Sequence, residues 1–335
     1  MKNHYTCFPL FLLVFIISCS KPADRVAGNT SGSSTQTDSL PPYVENKNDS
    51  LFSWKHVFFS GEGILDVWFT SVSKGVSIIG PNIYQSSDSG RSRLKLPGTF
   101  SSGLSFFFVD SQYGFEQNYT QIQLTKDGGN TWSLKSLPTT KALNVFFESP
   151  STGYYCDVDS GVYKTVDTCN TWSRVFQLNE DTTGLYPFFL NANTGFIFTG
   201  DGNLYKTQDG AATWQQIGKN IVTSNPPYPR WNTLLFTTDL TGYYGNEKGL
   251  LKTIDGGASW QLANPNGGTV NIIRFPTPDT GYYLCDKVIY KTSDAGKTWS
   301  TSCKLAVDNF LGMNFVNATT GYACTANGSI YRLTP

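Results

Sequence analysis

Histidine is nearly absent from this chain of 335 residues, where His4 and His56 are the only two. That scarcity argues against His-based acid–base catalysis and against His-rich metal sites. Charge is sparse as well. Asp, Glu, Lys and Arg make up 15% of the chain, well below the quarter usual in globular domains, and they balance at 25 basic against 25 acidic. No basic excess points to nucleic acid, so no nucleic-acid partner is expected. A chain with so little charge and 15% aromatic residues has ample material for a large core and is not a disordered one. The apolar run from Phe8 to Ile17 is ten residues, too short to span a bilayer.

That short run follows Lys2 and precedes Ile16-Ile17-Ser18-Cys19. The arrangement reads as a signal peptide over residues 1–19. Ile-Ile-Ser-Cys resembles the bacterial lipobox, which implies that Cys19 becomes the lipidated first residue of the mature protein and anchors it to a membrane. Ser20 follows the Cys, and the enteric-bacterial sorting pattern then implies the outer membrane. Residues 20–50 are rich in Ser, Thr, Gly, Asn and Pro and read as a flexible tether.

From residue 51 to 335 the sequence repeats. The unit is Ser/Thr-x-Asp-x-Gly-x-Ser/Thr-Trp, as in TKDGGNTW (125–132) and TIDGGASW (253–260). Its acids are Asp88, Asp127, Asp167, Asp209, Asp255 and Asp294, spaced by 39, 40, 42, 46 and 39 residues. A Gly lies 13 or 14 residues before each Asp (Gly75, Gly114, Gly153, Gly195, Gly242, Gly281), and a Phe lies six residues before each Gly. Phe315 and Gly321 begin a seventh copy, which ends before its Asp. A period near 40 built of short strands indicates four-stranded propeller blades. The fold class expected is therefore all-β, a seven-bladed β-propeller. Blade 7 supplies strands a, b and c only. The segment LFSWKHV (51–57) carries a Trp with no Asp unit before it, so the N-terminal strand, 51–59, is expected to complete the last blade and close the ring.

The six units together resemble the Asp-box, or bacterial neuraminidase repeat. Their role is read as structural: each carboxylate accepts from turn amides, the Gly permits a positive φ, and the Trp buries a large surface. Arg93 replaces Trp in the first unit, and Cys169 and Ala211 replace Gly in the third and fourth, so those turns are expected to be weaker or differently shaped. The Gly-Tyr strand b and Tyr-Lys-Thr strand c are also similar to the photosystem II stability/assembly-factor family of seven-bladed propellers. That resemblance implies a non-catalytic scaffold supporting assembly of a membrane complex, with an envelope protein as partner.

Five cysteines follow Cys19. An exported chain can form disulfides, and Cys156–Cys169 is the candidate bridge, with buried free thiols as the alternative. No metal site, cofactor or catalytic residue is expected. The b–c and d–a loops, on the face opposite the Asp units, form the expected binding surface. Its candidate residues are Glu116, Asp157, Asp159, Asp201 and Glu247 on the b–c loops. Tyr228, Arg230 and Trp231 join them on the long d–a connection 218–232, since Tyr, Trp and Arg dominate binding hot spots. Two alternatives stay open. One is a sialidase- or xyloglucanase-like glycoside hydrolase, although neither an Arg triad nor an Arg-Ile-Pro sequence is visible and only Arg230 and Arg274 can approach the central funnel. The other is a carbohydrate-binding surface protein with a glycan ligand.

Overall fold

Short apolar segments separated by Gly, Asn and Asp turns make strands rather than helices. The computed structural model describes residues 52–96, 105–117, 120–138, 142–157, 161–178, 185–219, 221, 233–264 and 268–334. Every regular element among them is a strand, and the strands form seven antiparallel four-stranded sheets. Blade 3 serves as the pattern. Strand a is Ala142–Phe147, b is Gly153–Asp157, c is Gly161–Thr165 and d is Ser173–Gln177, paired in that order. This sevenfold assembly lies within the compact unit Leu40–Pro335. Cys19 and the segment 20–50 lie outside the described residues.

The ring closes as the repeat predicts. Trp54–Phe59 pairs antiparallel with Ser329–Leu333, with Trp54 opposite Leu333, and becomes strand d of blade 7. Trp54 is buried, and its indole N–H donates to Ser302 Oγ of blade 6 at 3.0 Å. Last and first strands thus share one sheet, which removes two open edges.

The Phe and Gly markers have one physical cause. They are cross-strand partners, Phe147 opposite Gly153 and Phe69 opposite Gly75. The ring lies flat across the Gly, so a Cβ on Gly153 would stand 2.4 Å from Phe147. Its other side stacks on strand b of the preceding blade. Phe147 meets Phe115 at 3.6 Å, Phe189 meets Tyr154 at 3.7 Å, and Phe69 meets Tyr322 across the closure at 3.5 Å. Such pairs combine apolar burial with favourable ring geometry, and they weld each blade to the next.

The Asp units fold as the turns between strands c and d. In blade 3, Thr171 donates to Asp167 twice, from its backbone N–H at 2.9 Å and from its hydroxyl at 2.6 Å. Thr165 Oγ donates to Asp167 Oδ1 at 2.8 Å and accepts from the Cys169 N–H at 3.2 Å. The neighbouring N–H of Thr168 donates to Ser151 O at 3.1 Å, tying the turn to the a–b turn of the same blade. Two successive residues of each turn have positive φ, including Cys169 at 64° and Ala211 at 76°. A Cβ in that region costs roughly 1–2 kcal/mol. Ser89, Thr168 and Ala295 occupy the preceding left-handed position, a strain that the sequence reading did not foresee. Where Arg93 replaces Trp, strand d of blade 1 shrinks to Leu94–Lys95, and the guanidinium lies over Tyr84 at 4.6 Å and Phe58 at 5.3 Å.

The proposed Cys156–Cys169 bridge is corrected. Both are buried free thiols. Cys156 pairs with Val162 near the b–c end of the blade, whereas Cys169 lies beyond the far end of strand c. They also face opposite sides of the sheet, Cys156 toward blade 4 with Tyr154 and Cys169 toward blade 2 with Tyr155. Cys285, Cys303 and Cys324 are likewise buried thiols outside any disulfide. Burial, chiefly, pushes the Cys169 thiol up to about 12.

Candidate functional site

Strand a of each blade faces its neighbours around the central channel, and alternate residues turn toward the axis. The residue just before each marker Phe takes the inner position: Trp68, Phe107, Phe146, Phe188, Leu235 and Arg274 in blades 1 to 6. All six line one cavity of about 570 Å³. The seventh, Asn314, is buried and turns aside, its Oδ1 accepting from the Phe69 N–H at 2.7 Å. The cavity also touches Val109, Glu148, Leu190 and Asn191, which belong to a–b turns. It therefore opens on the end that carries the Asp turns, not on the b–c end.

Two charged side chains line this mouth, Arg274 of blade 6 and Glu148 of blade 3. The Arg274 guanidinium stands 5.9 Å from the Trp68 ring centre, and one of its N–H groups donates to Ile273 O at 2.9 Å. Asp66 on strand a of blade 1 shares its field. Burial pushes the Asp66 carboxyl up to about 7, while Arg274 and the Val67 N–H, which donates to it at 2.8 Å, oppose that shift. Burial lowers Arg274 to about 10, with Asp66 pulling the other way. The pair joins blades 6 and 1 past blade 7, where Gly312 leaves the room: a Cβ there would stand 2.4 Å from Asp66 Oδ1. Across the mouth, Glu148 is raised by burial against the pull of Lys164. Its Oε2 and the nearby Tyr154 hydroxyl have no hydrogen-bond partner among the described residues.

The b–c end differs from the expected acidic loop surface. Glu116 lies within strand b of blade 2, 1% exposed, and neither carboxylate oxygen has a hydrogen-bond partner among the described residues. Burial raises it to about 7. It occupies the position that holds Tyr155 in blade 3, facing the neighbouring blade. Asp157 is the last residue of strand b, 5% exposed, and its Oδ1 accepts from the Gly161 N–H at 2.9 Å. Asp201 is exposed and accepts from Asn203 Nδ2 at 2.7 Å, while Glu247 is half-buried beside the blade 5 hairpin. Asp159, Tyr228, Arg230 and Trp231 lie outside the described residues. Of Arg230 and Arg274, the two expected near the funnel, Arg274 lines the mouth and Arg230 lies outside the described residues. Asp66 and the aromatic ring were missed, although the position before each marker Phe carries their signal.

The profile of a protein family, Photosynthesis system II assembly factor YCF48, matches residues 164–334. The chain belongs to that family. Solved structures agree on the YCF48 fold. One titled YCF48 bound to D1 peptide is 15% identical, covering 89% of this chain and all of that one at a TM-score of 0.64. YCF48 from Cyanidioschyzon merolae is 13% identical, covering 84% of this chain and 98% of that one at 0.61. A GH74 xyloglucanase from Xanthomonas campestris is 13% identical, covering 82% of this chain but 52% of that one at 0.62. A search of curated proteins found no match.

Proposed function

We propose that this YCF48-family propeller is a non-catalytic interaction scaffold that binds a peptide segment of a cell-envelope protein. The observation that carries the reading is the family membership, since a solved YCF48 propeller holds a D1 peptide. Two features support it. The six Asp carboxylates of the turns are engaged in local hydrogen bonds, which suits a structural role. The channel mouth offers an aromatic, partly charged cavity of the size that binding sites usually have. Lipidation at Cys19 would tether the propeller through residues 20–50 to the outer membrane, with the sequence pattern as the ground for that placement.

The test is capture of partners from the native envelope. Tagged full-length protein is solubilised in mild detergent, and co-purifying proteins are identified by mass spectrometry. A stoichiometric envelope partner supports the reading. A clean monomer overturns it. Mass analysis of the mature N-terminus tests the anchor separately: an acylated Cys19 is expected, and an unmodified N-terminus downstream of it removes the lipoprotein proposal.

A second reading, glycan binding or hydrolysis, draws on the xyloglucanase likeness in fold and on the aromatic mouth, because sugar faces stack on aromatic rings. Product release from a polysaccharide panel, absent in a Glu148→Gln variant, would establish it over the scaffold reading.

A further inference from the structure

The inner ring of the propeller is asymmetric in a way that the repeat does not require. Five of the six side chains lining the mouth from equivalent positions are apolar, Trp68, Phe107, Phe146, Phe188 and Leu235, and the sixth is Arg274. A ring position serving only as core would take a sixth apolar group, since a guanidinium costs free energy to desolvate. Arg274 is instead held in place by Trp68, by its own backbone carbonyl and by Asp66. Glu148 faces the same space from blade 3, on the far side of the ring, with an oxygen that has no hydrogen-bond partner among the described residues. The mouth thus has an apolar floor, one cationic wall and one acidic wall.

Resting on the peptide reading above, we propose that this mouth, on the Asp-turn end of the channel, receives one large apolar or aromatic side chain of the partner together with a carboxylate set against Arg274. Charge complementarity assigns the direction. The carboxylate goes to the blade 6 wall, and a peptide N–H or an ammonium group goes to Glu148. The volume, about 570 Å³, holds a Trp- or Phe-sized group and leaves room for the adjoining peptide. Stacking on Phe146 and Phe188 and contact with Leu235 supply the apolar part, and Arg274 supplies selection among apolar segments.

The test uses the full-length protein and two dyes of similar shape, anionic 8-anilinonaphthalene-1-sulfonate and neutral N-phenyl-1-naphthylamine. The expected result is saturable binding of the anionic dye at one site per chain. Arg274→Gln should weaken the anionic dye by about tenfold, the loss of one charge-assisted contact, and leave the neutral dye little changed. Leu235→Trp, which fills the mouth and keeps the Asp66–Arg274 pair, should abolish both. Capped Ala-Ala-Trp-Glu-Ala should displace the dye better than the Gln analogue. Non-saturating binding, or saturable binding untouched by Leu235→Trp, overturns the proposal. So does an equal response of both dyes to Arg274→Gln in a protein with wild-type circular dichroism. The two readings fail separately. A captured envelope partner that Leu235→Trp does not release sinks this site and leaves the scaffold reading. A well-behaved dye site with no partner does the reverse.

Discussion

The ring of Phe147 covers Gly153, its partner on the adjacent strand, so closely that a methyl group on Gly153 would stand 2.4 Å from the ring. The same relationship recurs at Phe189 and Gly195 and at Phe69 and Gly75. Gly153→Ala should therefore push Phe147 off its stack with Phe115. Overpacking of this kind costs about 1–3 kcal/mol. A lower midpoint of urea unfolding is the expected readout, and an unchanged midpoint would mean that the ring can move aside freely.

The Asp turns make stability depend on pH. Side-chain hydrogen bonds from Thr171, Thr213 and Ser259, followed by the backbone N–H groups of the same residues, hold Asp167, Asp209 and Asp255 down at about 2. An unfolded Asp titrates near about 3.9. Because the folded values are depressed, their stabilisation is present in full above the unfolded value and is lost as pH falls toward about 2. Unfolding midpoints measured from neutral pH downward should fall through that window. Asp209→Asn should lower the midpoint at neutral pH, change it little near pH about 2, and so reduce the slope between them. An unaltered slope in this variant would show that the turn carboxylates are not linked to folding.

Closure of the ring depends on a strand far away in sequence. Trp54 is 1% exposed and bonded to Ser302. Trp54→Ala should cost about 3–5 kcal/mol, typical of a buried Trp. Deleting 51–59 should expose the edge of Ser329–Leu333 and promote self-association. A melting curve and size-exclusion profile equal to those of the intact protein would contradict the closure.

The five cysteines of the propeller should react as buried thiols. Ellman's reagent should find them slow in the native protein and find all five once it is denatured. A Cys156–Cys169 disulfide peptide in a non-reducing digest would contradict the geometry, which places the two on opposite faces of one sheet.

Much of this fold was legible because the repeat is a packing rule written seven times. The Phe–Gly spacing encodes a ring lying over a bare backbone, and the Ser/Thr-x-Asp unit encodes a turn closed by its own side chains. The lone Trp54 even marked where the last blade would find its missing strand. The direction in which a side chain points was harder to read. Glu116 looked like a loop acid but sits inside strand b, where blades 3 to 6 carry Tyr155, Ile197, Tyr244 and Tyr283, and its burial depends on a neighbouring blade. Cys156 and Cys169 were expected at the same end of blade 3, yet Cys156 lies near the b–c end and the two face different interfaces. The mouth escaped notice because its ring gathers single residues about 40 apart, alike in position and unlike in chemistry.

The most direct test of the scaffold account is site-specific crosslinking in the intact envelope. A photoreactive benzoylphenylalanine is placed at Leu235, on the channel mouth, or at Asp286, on the b–c hairpin of blade 6 at the opposite end. The account predicts one discrete protein adduct from position 235 and none from position 286. Adducts from 286 alone, or none from 235 in cells where the propeller is folded and exported, would contradict it.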